Sequence, residues 1–294
     1  MDFEWSASEF HKEIRVTPNN AVFLAVHVPK CAGTSLDRHI IGHLPSGQGW
    51  ITRKRSYWLQ PWGRAYKKPT PDMIKDVKYV SGHHMGSSIA SLFPGKTLYR
   101  SVLIREPTSF LLSYYNFRMM RYIAEGKKPY SFELHLRSQP ANMISHFLLS
   151  RWCEIPWATL LTMSSAAKYE RLNRELASFW YVADYAKCDE LSGLISAKLG
   201  IPAIATRANT KENWLKRVDW QPLTAADLSP STAREVKART QIDQAIWRSW
   251  ADVGLQTQTI QPVRQDTSAR VPFVITEAAR IYHSAARRYQ RGWF

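Results

Sequence analysis

Lys30, Gly33, Thr34 and Ser35 form a short stretch whose residue types could bind an anion. They belong to the sequence AVFLAVHVPKCAGTSLD of residues 21–37, in which a largely apolar run leads into the stretch. This pattern predicts a buried strand, a tight loop and a helix that begins at the two hydroxyl residues. Backbone N–H groups at such a helix start have no partner and the helix dipole is positive there, so a phosphate-sized anion fits. The lysine adds a full positive charge.

The same stretch has simpler interpretations. A strand, a glycine turn and a helix cap occur in many α/β proteins that bind nothing there. The stretch is not a Walker A loop, because Lys30 precedes Gly33 by three residues and no Gly-Lys-Ser/Thr follows. Cys31 and Ala32 complete the loop. The cysteine has no base fixed beside it in the sequence, so a small loop residue is favoured over a nucleophile.

Arg105 begins a second stretch whose residue types could bind an anion, REPTSFLLSYY at residues 105–115. It ends a predicted strand at residues 98–105, which would deliver it to the carboxyl edge of the sheet, where open α/β folds bind ligands. Ser113 lies eight residues further on, in a predicted helix at residues 108–121, and could face the same edge. A guanidinium and a hydroxyl together suit a terminal phosphate. A P-loop phosphotransferase would usually end this strand in an aspartate that holds Mg²⁺.

His83 and His84 follow a third predicted strand, at residues 77–82. Histidine titrates near neutral pH, so one of this pair could take a proton from a hydroxyl during group transfer. At least one of the two is expected to serve only as a hydrogen-bond partner of the backbone. His27 lies inside the first predicted strand, where a packed core histidine is the favoured interpretation.

These residues require a framework that brings several strand ends to one edge. Strands are predicted at residues 21–28, 77–82, 98–105 and 179–183, and helices at residues 34–41, 108–121, 141–150, 164–178, 187–199 and 229–253. Connections longer than ten residues between successive strands imply crossovers and a parallel sheet, so the predicted fold class is α/β. Residues 45–72 and 203–222 show no clear period and are predicted to be loops. The first of these loops is strongly basic, through Arg53, Lys54, Arg55, Arg64, Lys67 and Lys68.

Length and charge narrow the class of protein. The 294 residues can form one large α/β domain, predicted at residues 21–255, between an N-terminal segment at residues 1–20 and a basic C-terminal extension at residues 256–294. A formal net charge of +16 predicts polyanionic partners. Three cysteines without metal spacing suggest neither a disulfide framework nor a zinc site, which favours a reducing compartment. The N-terminus lacks a signal-peptide pattern and no run approaches a membrane span, so a cytoplasmic location is expected.

Three motifs carry a resemblance to a known family. In chain order, HVPKCAGTS (27–35), GHH (82–84) and REPTSFLLSYY (105–115) resemble the PAPS-dependent sulfotransferases, especially the carbohydrate branch typified by heparan sulfate 2-O-sulfotransferase. The resemblance covers roughly residues 20–255, and it includes a later strand and helix at residues 179–201 and the sequence RANTKEN at residues 207–213. One position departs from the branch, which commonly has a basic residue where this chain has Phe110.

The resemblance implies a fold, a donor and a set of roles. The fold would be a P-loop-NTPase-like central parallel sheet flanked by helices. The donor would be 3′-phosphoadenosine-5′-phosphosulfate, used without a metal. Its 3′-phosphate would be bound by Arg105 and Ser113, and Arg207 and Lys211 would lie in a loop that closes over the nucleotide. The family's Gly-His motif favours His83 as the base, with His84 in reserve. The 5′-phosphosulfate would be bound by Lys30, Cys31, Ala32, Gly33, Thr34 and Ser35.

Two other function classes stay open at this stage. A nucleotide phosphotransferase could use the same architecture, but it would need Mg²⁺ and a carboxylate to hold it. A basic protein with 12 Trp, 13 Tyr and 11 Phe could bind nucleic acid. The sulfotransferase interpretation expects no nucleic acid and instead a hydroxyl-bearing acceptor, such as an acidic sugar or glycan. A predicted basic helix at residues 276–290 could lie on an anionic membrane or pack on the domain.

Overall fold

A six-stranded sheet organises the computed structural model, which describes residues 20–52, 70–203 and 220–256. The strands are β1 (Ala21–Val26), β2 (Gly49–Thr52), β3 (Tyr79–Gly82), β4 (Thr97–Ile104), β5 (Tyr181–Asp184) and β6 (Gly254–Leu255). Neighbouring strands follow the order β2-β3-β1-β4-β5-β6. The first five strands in this order are parallel, and β6 runs antiparallel to β5. The predicted α/β class with a mainly parallel sheet is therefore confirmed.

Strand β1 lies in the middle of the sheet and is buried along its whole length. Its unbroken apolar sequence suits this place, because a central parallel strand is covered on both faces. Val26, at its end, pairs with Gly82 on one side and Val102 on the other. On the far side of β4, Ile104 pairs with Asp184. The carboxyl ends of β1, β3, β4 and β5 consequently meet at one edge of the sheet.

Helices flank the sheet and connect its strands. The helices are α1 (Gly33–His43), α2 (Pro71–Ile74), α3 (Pro107–Ala124), α4 (Phe132–Ser138), α5 (Met143–Phe147), α6 (Trp157–Thr162), α7 (Ser165–Leu176), α8 (Cys188–Leu199), α9 (Pro230–Arg239) and α10 (Gln241–Trp250). Helix α1 packs against α8, and α10 packs against α7 and β5. A π-helical turn, Leu148–Trp152, continues α5, and short 3₁₀ turns occupy Ser87–Leu92, Tyr185–Lys187 and Ala225–Asp227.

Helix α3 begins where β4 ends, and its start is well specified by the sequence. Glu106 caps it, because the Glu106 carboxylate accepts from the backbone N–H groups of Thr108 at 3.0 Å and Ser109 at 2.7 Å. Pro107 stands at the first helical position, where its missing N–H costs nothing. The cap fixes the direction in which α3 leaves the edge of the sheet, directly after Arg105.

The predicted loop at residues 45–72 was wrong in part. Its first section contains β2, an edge strand that pairs with β3, and its last residues begin α2. The strand has only four residues, GWIT, with no alternation long enough to stand out, so its structure depends on pairing with β3. Helix α4 was also not predicted. The predicted strand at residues 21–28 ends earlier, at Val26, so His27 follows the strand instead of lying inside it.

The single helix predicted at residues 229–253 is two helices. Thr240 breaks it with a φ of −121°, between α9 and α10. The Asn142 side chain accepts from the N–H groups of Ile242 at 2.8 Å and Asp243 at 3.3 Å and so caps the start of α10. The break therefore depends on a residue about one hundred positions away in sequence, which no local pattern reveals.

Several predictions concern parts of the chain outside the described ranges. They include the N-terminal segment apart from Asn20, the basic residues between 53 and 68, and the C-terminal extension from residue 257 onward. Arg207 and Lys211 also lie outside them. Among the helices that are described, none is long and apolar enough to cross a membrane.

Candidate anion site at the carboxyl edge of the sheet

The predicted site residues come together where β1, β3 and β4 end. His27 follows β1, His83 follows β3 and Arg105 follows β4. Arg105 Nη1 donates to the carbonyl oxygen of Lys30 at 3.1 Å, which ties the end of β4 to the loop after β1. The rings of His27 and His83 lie 4.0 Å apart between centroids, which ties the end of β3 to the same loop. The three sequence motifs therefore form one cluster.

The loop after β1 has an unusual backbone. Lys30 and Ala32 have φ values of 64° and 60°, in the left-handed region that few residues other than glycine occupy. Such residues persist where the surrounding structure holds them, and they are concentrated at functional sites. Ala32 is the N-cap of α1, and no side chain caps the helix there. The first N–H groups of α1, at Gly33 and Thr34, have no acceptor within the helix, as at any helix start.

Gly33 is required by a close approach. A Cβ atom at this position would overlap the ring of His27, which lies against the first turn of α1. His27 is itself buried, with Nδ1 3.1 Å from Asp37 Oδ2, and Asp37 Oδ1 accepts from the Tyr79 hydroxyl at 2.9 Å. The expectation that His27 is a satisfied core histidine is confirmed. The His27 ring packs against Gly33 and so supports the loop between β1 and α1.

Lys30 is half-buried and is the cation of the loop. Its burial, followed by the nearby positive charge of Arg105, lowers the pKa of Lys30 to about 8. Its Nζ atom lies 4.2 Å from the centroid of the Phe117 ring. Within the described ranges, no carboxylate lies within 4 Å of this ammonium group. Among the described residues, this amine therefore feels the positive charge of Arg105 and has no carboxylate partner.

Arg105 is fixed by three contacts. Besides the Lys30 carbonyl, its Nε donates to Ser109 Oγ at 2.9 Å, and its Cζ lies 4.3 Å from the centroid of the Tyr185 ring. Ser113, which is predicted to bind the same phosphate as Arg105, is half-buried one helical turn beyond Ser109 along α3. Since residues four apart share a helix face, the two serines project to the same side.

Ser109, Phe117 and Tyr185 are site residues that the sequence analysis missed. Two of them could have been found, because Ser109, Ser113 and Phe117 follow Arg105 at intervals of four residues and so lie on one face of α3. The contact of Tyr185 depends on the pairing of β4 with β5, which the sequence does not specify. Phe110, where the resembling branch has a basic residue, points away from this face into the core and is 2% exposed.

His83 has a defined tautomer. Its Nδ1 lies 2.7 Å from the carbonyl oxygen of His27, which can only accept, so Nδ1 carries the proton and Nε2 keeps its lone pair. Burial, followed by the neighbouring His27, lowers the pKa of His83 to about 4. The ring is therefore neutral at pH 7 and presents one proton-accepting nitrogen. His84, the next residue, is also half-buried at this edge.

Cys31 does not have the properties of a nucleophile. Its side chain is buried under the loop, and burial raises the pKa of its thiol far above the ordinary range. A thiol that stays protonated at neutral pH is a weak nucleophile. The burial of this thiol agrees with the preference for a small loop residue.

Acidic side chains near this edge are used for structure. Asp184, at the end of β5, accepts from Trp247 Nε1 at 2.8 Å and from the N–H of Ala186 at 2.9 Å. In the portion of the chain that is described, no group of three or more His, Cys, Asp or Glu side chains is arranged to hold a metal ion. The site defined by the described residues is a cationic one.

Fold and site together define an α/β protein with a mainly parallel sheet and, among the described residues, a pair of cations, Lys30 and Arg105, at the carboxyl edge of that sheet. Comparison with protein-family models gave no match, and neither curated proteins nor solved structures matched the chain. The functional argument therefore depends on the geometry of the site and on the resemblance of the three motifs.

Proposed function

We propose that the chain is a sulfotransferase that moves a sulfuryl group from 3′-phosphoadenosine-5′-phosphosulfate to a hydroxyl group. The observation that carries this proposal is the junction of Lys30 and Arg105. The Arg105 side chain donates to the Lys30 carbonyl oxygen, and no carboxylate in the described ranges lies within 4 Å of either cation. Two positive charges held together are costly unless an anion separates them. A nucleotide donor with anionic groups at both the 3′ and the 5′ position of its ribose meets this need.

The residues present fit such a donor. The left-handed loop and the start of α1 offer backbone N–H groups, and Lys30 adds a mobile charge, which suits the 5′-phosphosulfate. Arg105, held rigidly by Ser109, together with Ser113 suits the 3′-phosphate. Cys31, Ala32, Gly33, Thr34 and Ser35 would supply the remaining loop contacts. Arg207 and Lys211 stay predictions from the resemblance alone.

His83 and Lys30 would have different roles in the transfer reaction. The donor supplies an activated sulfuryl group. In the transfer, the acceptor's oxygen would form a bond to sulfur while the bond between sulfur and the phosphate oxygen breaks. The Nε2 atom of His83 would take the proton that the acceptor's hydroxyl group loses. Lys30 would stabilise the negative charge that stays on that phosphate oxygen. The low pKa of His83 keeps the base neutral before the acceptor binds.

The finer fold assignment is part of the proposal. The anion loop follows the central strand β1 and opens a helix, which is where a P-loop-like fold places its phosphate loop. The strand order and the α/β class support this arrangement. The loop differs from a Walker A loop in the position of its lysine, which suits a phosphosulfate.

The phosphotransferase alternative is less well supported by the site. It requires a carboxylate that is free to hold Mg²⁺ near the phosphates. In P-loop phosphotransferases this carboxylate usually stands at the end of the strand that corresponds to β4, and here Arg105 follows that strand. The Asp184 carboxylate already accepts hydrogen bonds from Trp247 and from the backbone of Ala186. The nucleic-acid alternative depends on the net charge of +16, which predicts polyanion binding of any kind.

The acceptor is proposed to be an acidic sugar or glycan. The support is the basic sequence between residues 53 and 68. A concentration of positive charge in the sequence favours an anionic acceptor through electrostatic attraction.

The proposal is tested by transfer of radioactive sulfate from the labelled donor to a panel of glycans and small hydroxyl compounds. His83→Asn is the informative variant, because the Asn amide can still donate to the His27 carbonyl but cannot accept the proton. We expect the wild type to label an acceptor, and the variant to bind 3′,5′-ADP normally and transfer at least about a hundredfold more slowly. Transfer at the wild-type rate by the variant would exclude His83 as the base.

Matched binding measurements separate the alternatives. Tighter binding of ATP with Mg²⁺ than of 3′,5′-ADP would support the phosphotransferase. Binding of DNA or RNA with a steep salt dependence, without binding of either nucleotide, would support the nucleic-acid alternative and would exclude both enzymes.

A further inference from the structure

Both cations of the candidate site lie on aromatic rings. Lys30 Nζ is 4.2 Å from the centroid of Phe117, on the third turn of α3, and Arg105 Cζ is 4.3 Å from the centroid of Tyr185, directly after β5. Elsewhere in the described part of the chain the distances between cations and rings are longer: Lys198 Nζ lies 5.2 Å from the Tyr99 centroid, and Lys127 Nζ and Arg118 Cζ lie 5.6 and 5.7 Å from the Tyr122 centroid. Lys127 also contacts the Glu125 carboxylate. Lys30 and Arg105 thus combine shorter ring contacts with the absence, in the described ranges, of a carboxylate within 4 Å.

The two kinds of contact have different consequences for an anion site. A carboxylate neutralises the cation that it holds and competes with an incoming anion. The face of an aromatic ring attracts a cation through its quadrupole but carries no net charge, so the full positive charge stays available. An aromatic ring can also hold a long side chain in place at a low cost in conformational entropy, because the aromatic side chain itself has few rotamers.

We propose that Phe117 and Tyr185 are positioning residues that hold Lys30 and Arg105 charged and oriented toward one bound anion. This inference rests on the proposed function for the identity of the anion, a phosphosulfate nucleotide, although it requires only that an anion binds here. Neither ring is expected to touch the reacting atoms. Phe117 acts on Lys30, and Tyr185 acts on Arg105.

The role of Phe117 makes a prediction about the protonation of Lys30. The other groups that bear on this amine are Arg105, which disfavours its charge, and the Cys31 thiol beside it. The ring favours the charged form. Its loss should therefore lower the pKa of Lys30 further below about 8, so that the amine is less charged at neutral pH.

The first test measures the proton affinity of Lys30 by NMR titration of ¹³C-methylated lysines, with the Lys30 signal assigned by its loss in Lys30→Gln. Phe117→Leu should lower the proton affinity about three- to tenfold, and Phe117→Tyr should leave it unchanged. Pentafluorophenylalanine at position 117 keeps the shape of the ring and reverses its quadrupole, so it should act like leucine. This substitution separates the electrostatic role of the ring from its packing and does not depend on the folding of the leucine variant.

The second test measures binding of inorganic pyrophosphate by calorimetry. Tyr185→Leu should weaken it about fivefold or more, and Tyr185→Phe should bind like the wild type. An unchanged Lys30 proton affinity in the fluorinated protein, together with unchanged pyrophosphate binding in Tyr185→Leu, would overturn the inference. These readouts do not use the sulfuryl donor. If the rings act as stated but 3′,5′-ADP does not bind the wild type, only the proposed function fails.

Discussion

At the residue scale, His83 combines a fixed tautomer with a low pKa. The His27 carbonyl accepts from Nδ1, and the surrounding protein disfavours the charged ring. A base that is neutral at pH 7 can accept a proton without first losing one. Binding of an anionic donor beside it should raise the pKa of His83 toward neutrality, where proton transfer in both directions is most efficient.

The low pKa of His83 predicts how stability changes with pH. Between about pH 4 and pH 6.5 the unfolded chain binds a proton at His83 and the folded chain does not, so the free energy of unfolding falls as the pH falls through this range. Between pH 7 and pH 5 the loss should be about 2 kcal/mol. Urea denaturation at the two pH values measures it.

The control for this prediction is His83→Asn, which keeps the donor to the His27 carbonyl and does not titrate. The difference in unfolding free energy between pH 7 and pH 5 should be smaller in this variant by about the same 2 kcal/mol. An equal pH dependence in both proteins would show that His83 is protonated in the folded state at pH 5.

At the element scale, the junction between the loop and α1 depends on Gly33. Gly33→Ala should destabilise the protein by roughly 1–3 kcal/mol, because the added methyl group would displace the His27 ring or the loop. It should also weaken binding of 3′,5′-ADP, since the loop must shift. Thermal unfolding and calorimetry measure the two effects.

Gly42 is the matched control, because it lies in the same helix. A Cβ at this position would meet nothing within 4 Å, and the residue has an ordinary helical backbone. Gly42→Ala should therefore raise stability by up to about 1 kcal/mol and leave ligand binding unchanged. Equal effects of the two substitutions would contradict the close packing of the loop on His27.

Helices α5 and α10 cap each other through side chains. Asn142 caps α10, and the buried Asp243 carboxylate accepts from the N–H groups of Ile144 at 3.0 Å and Ser145 at 2.7 Å at the start of α5. Asp243→Ala leaves these donors without a partner and should lower the unfolding free energy by roughly 1–3 kcal/mol. Asp252→Ala, at an exposed carboxylate after α10, should change it by less than about 0.5 kcal/mol. Chemical denaturation of both variants checks this, and a similar loss in the two would refute the capping role.

The elements differ in how far their sequences predict them. The unbroken apolar sequence of β1 and the Pro107 start of α3 are local signals, and both predictions were close to the observed ends. Strand β2 is too short to show a pattern and forms by pairing with β3. The break at Thr240 has neither glycine nor proline beside it and is made by the distant Asn142 side chain. Local signals thus predict the central elements, and tertiary contacts decide the others.

At the scale of the whole molecule, the parallel sheet is what turns separate motifs into a site. Lys30, His83 and Arg105 are as much as 75 residues apart in sequence, and they meet because β1, β3 and β4 are neighbours that end at one edge. The residue types and their order along the chain predicted this cluster. Ser109 and Phe117 follow Arg105 at a four-residue spacing that the sequence itself shows, whereas the contact of Tyr185 needed the three-dimensional arrangement, since it depends on the pairing of β4 with β5.

The central claim is that Lys30 and Arg105 bind a nucleotide with phosphate groups at both its 3′ and 5′ positions. The most direct measurement compares binding of 3′,5′-ADP and 5′-AMP by calorimetry in the wild type and in Arg105→Ala. We predict that the wild type binds 3′,5′-ADP roughly ten- to a hundredfold more tightly than 5′-AMP, and that this preference disappears in the variant. A wild type without preference for the 3′-phosphate, or a preference that survives in Arg105→Ala, would contradict the account.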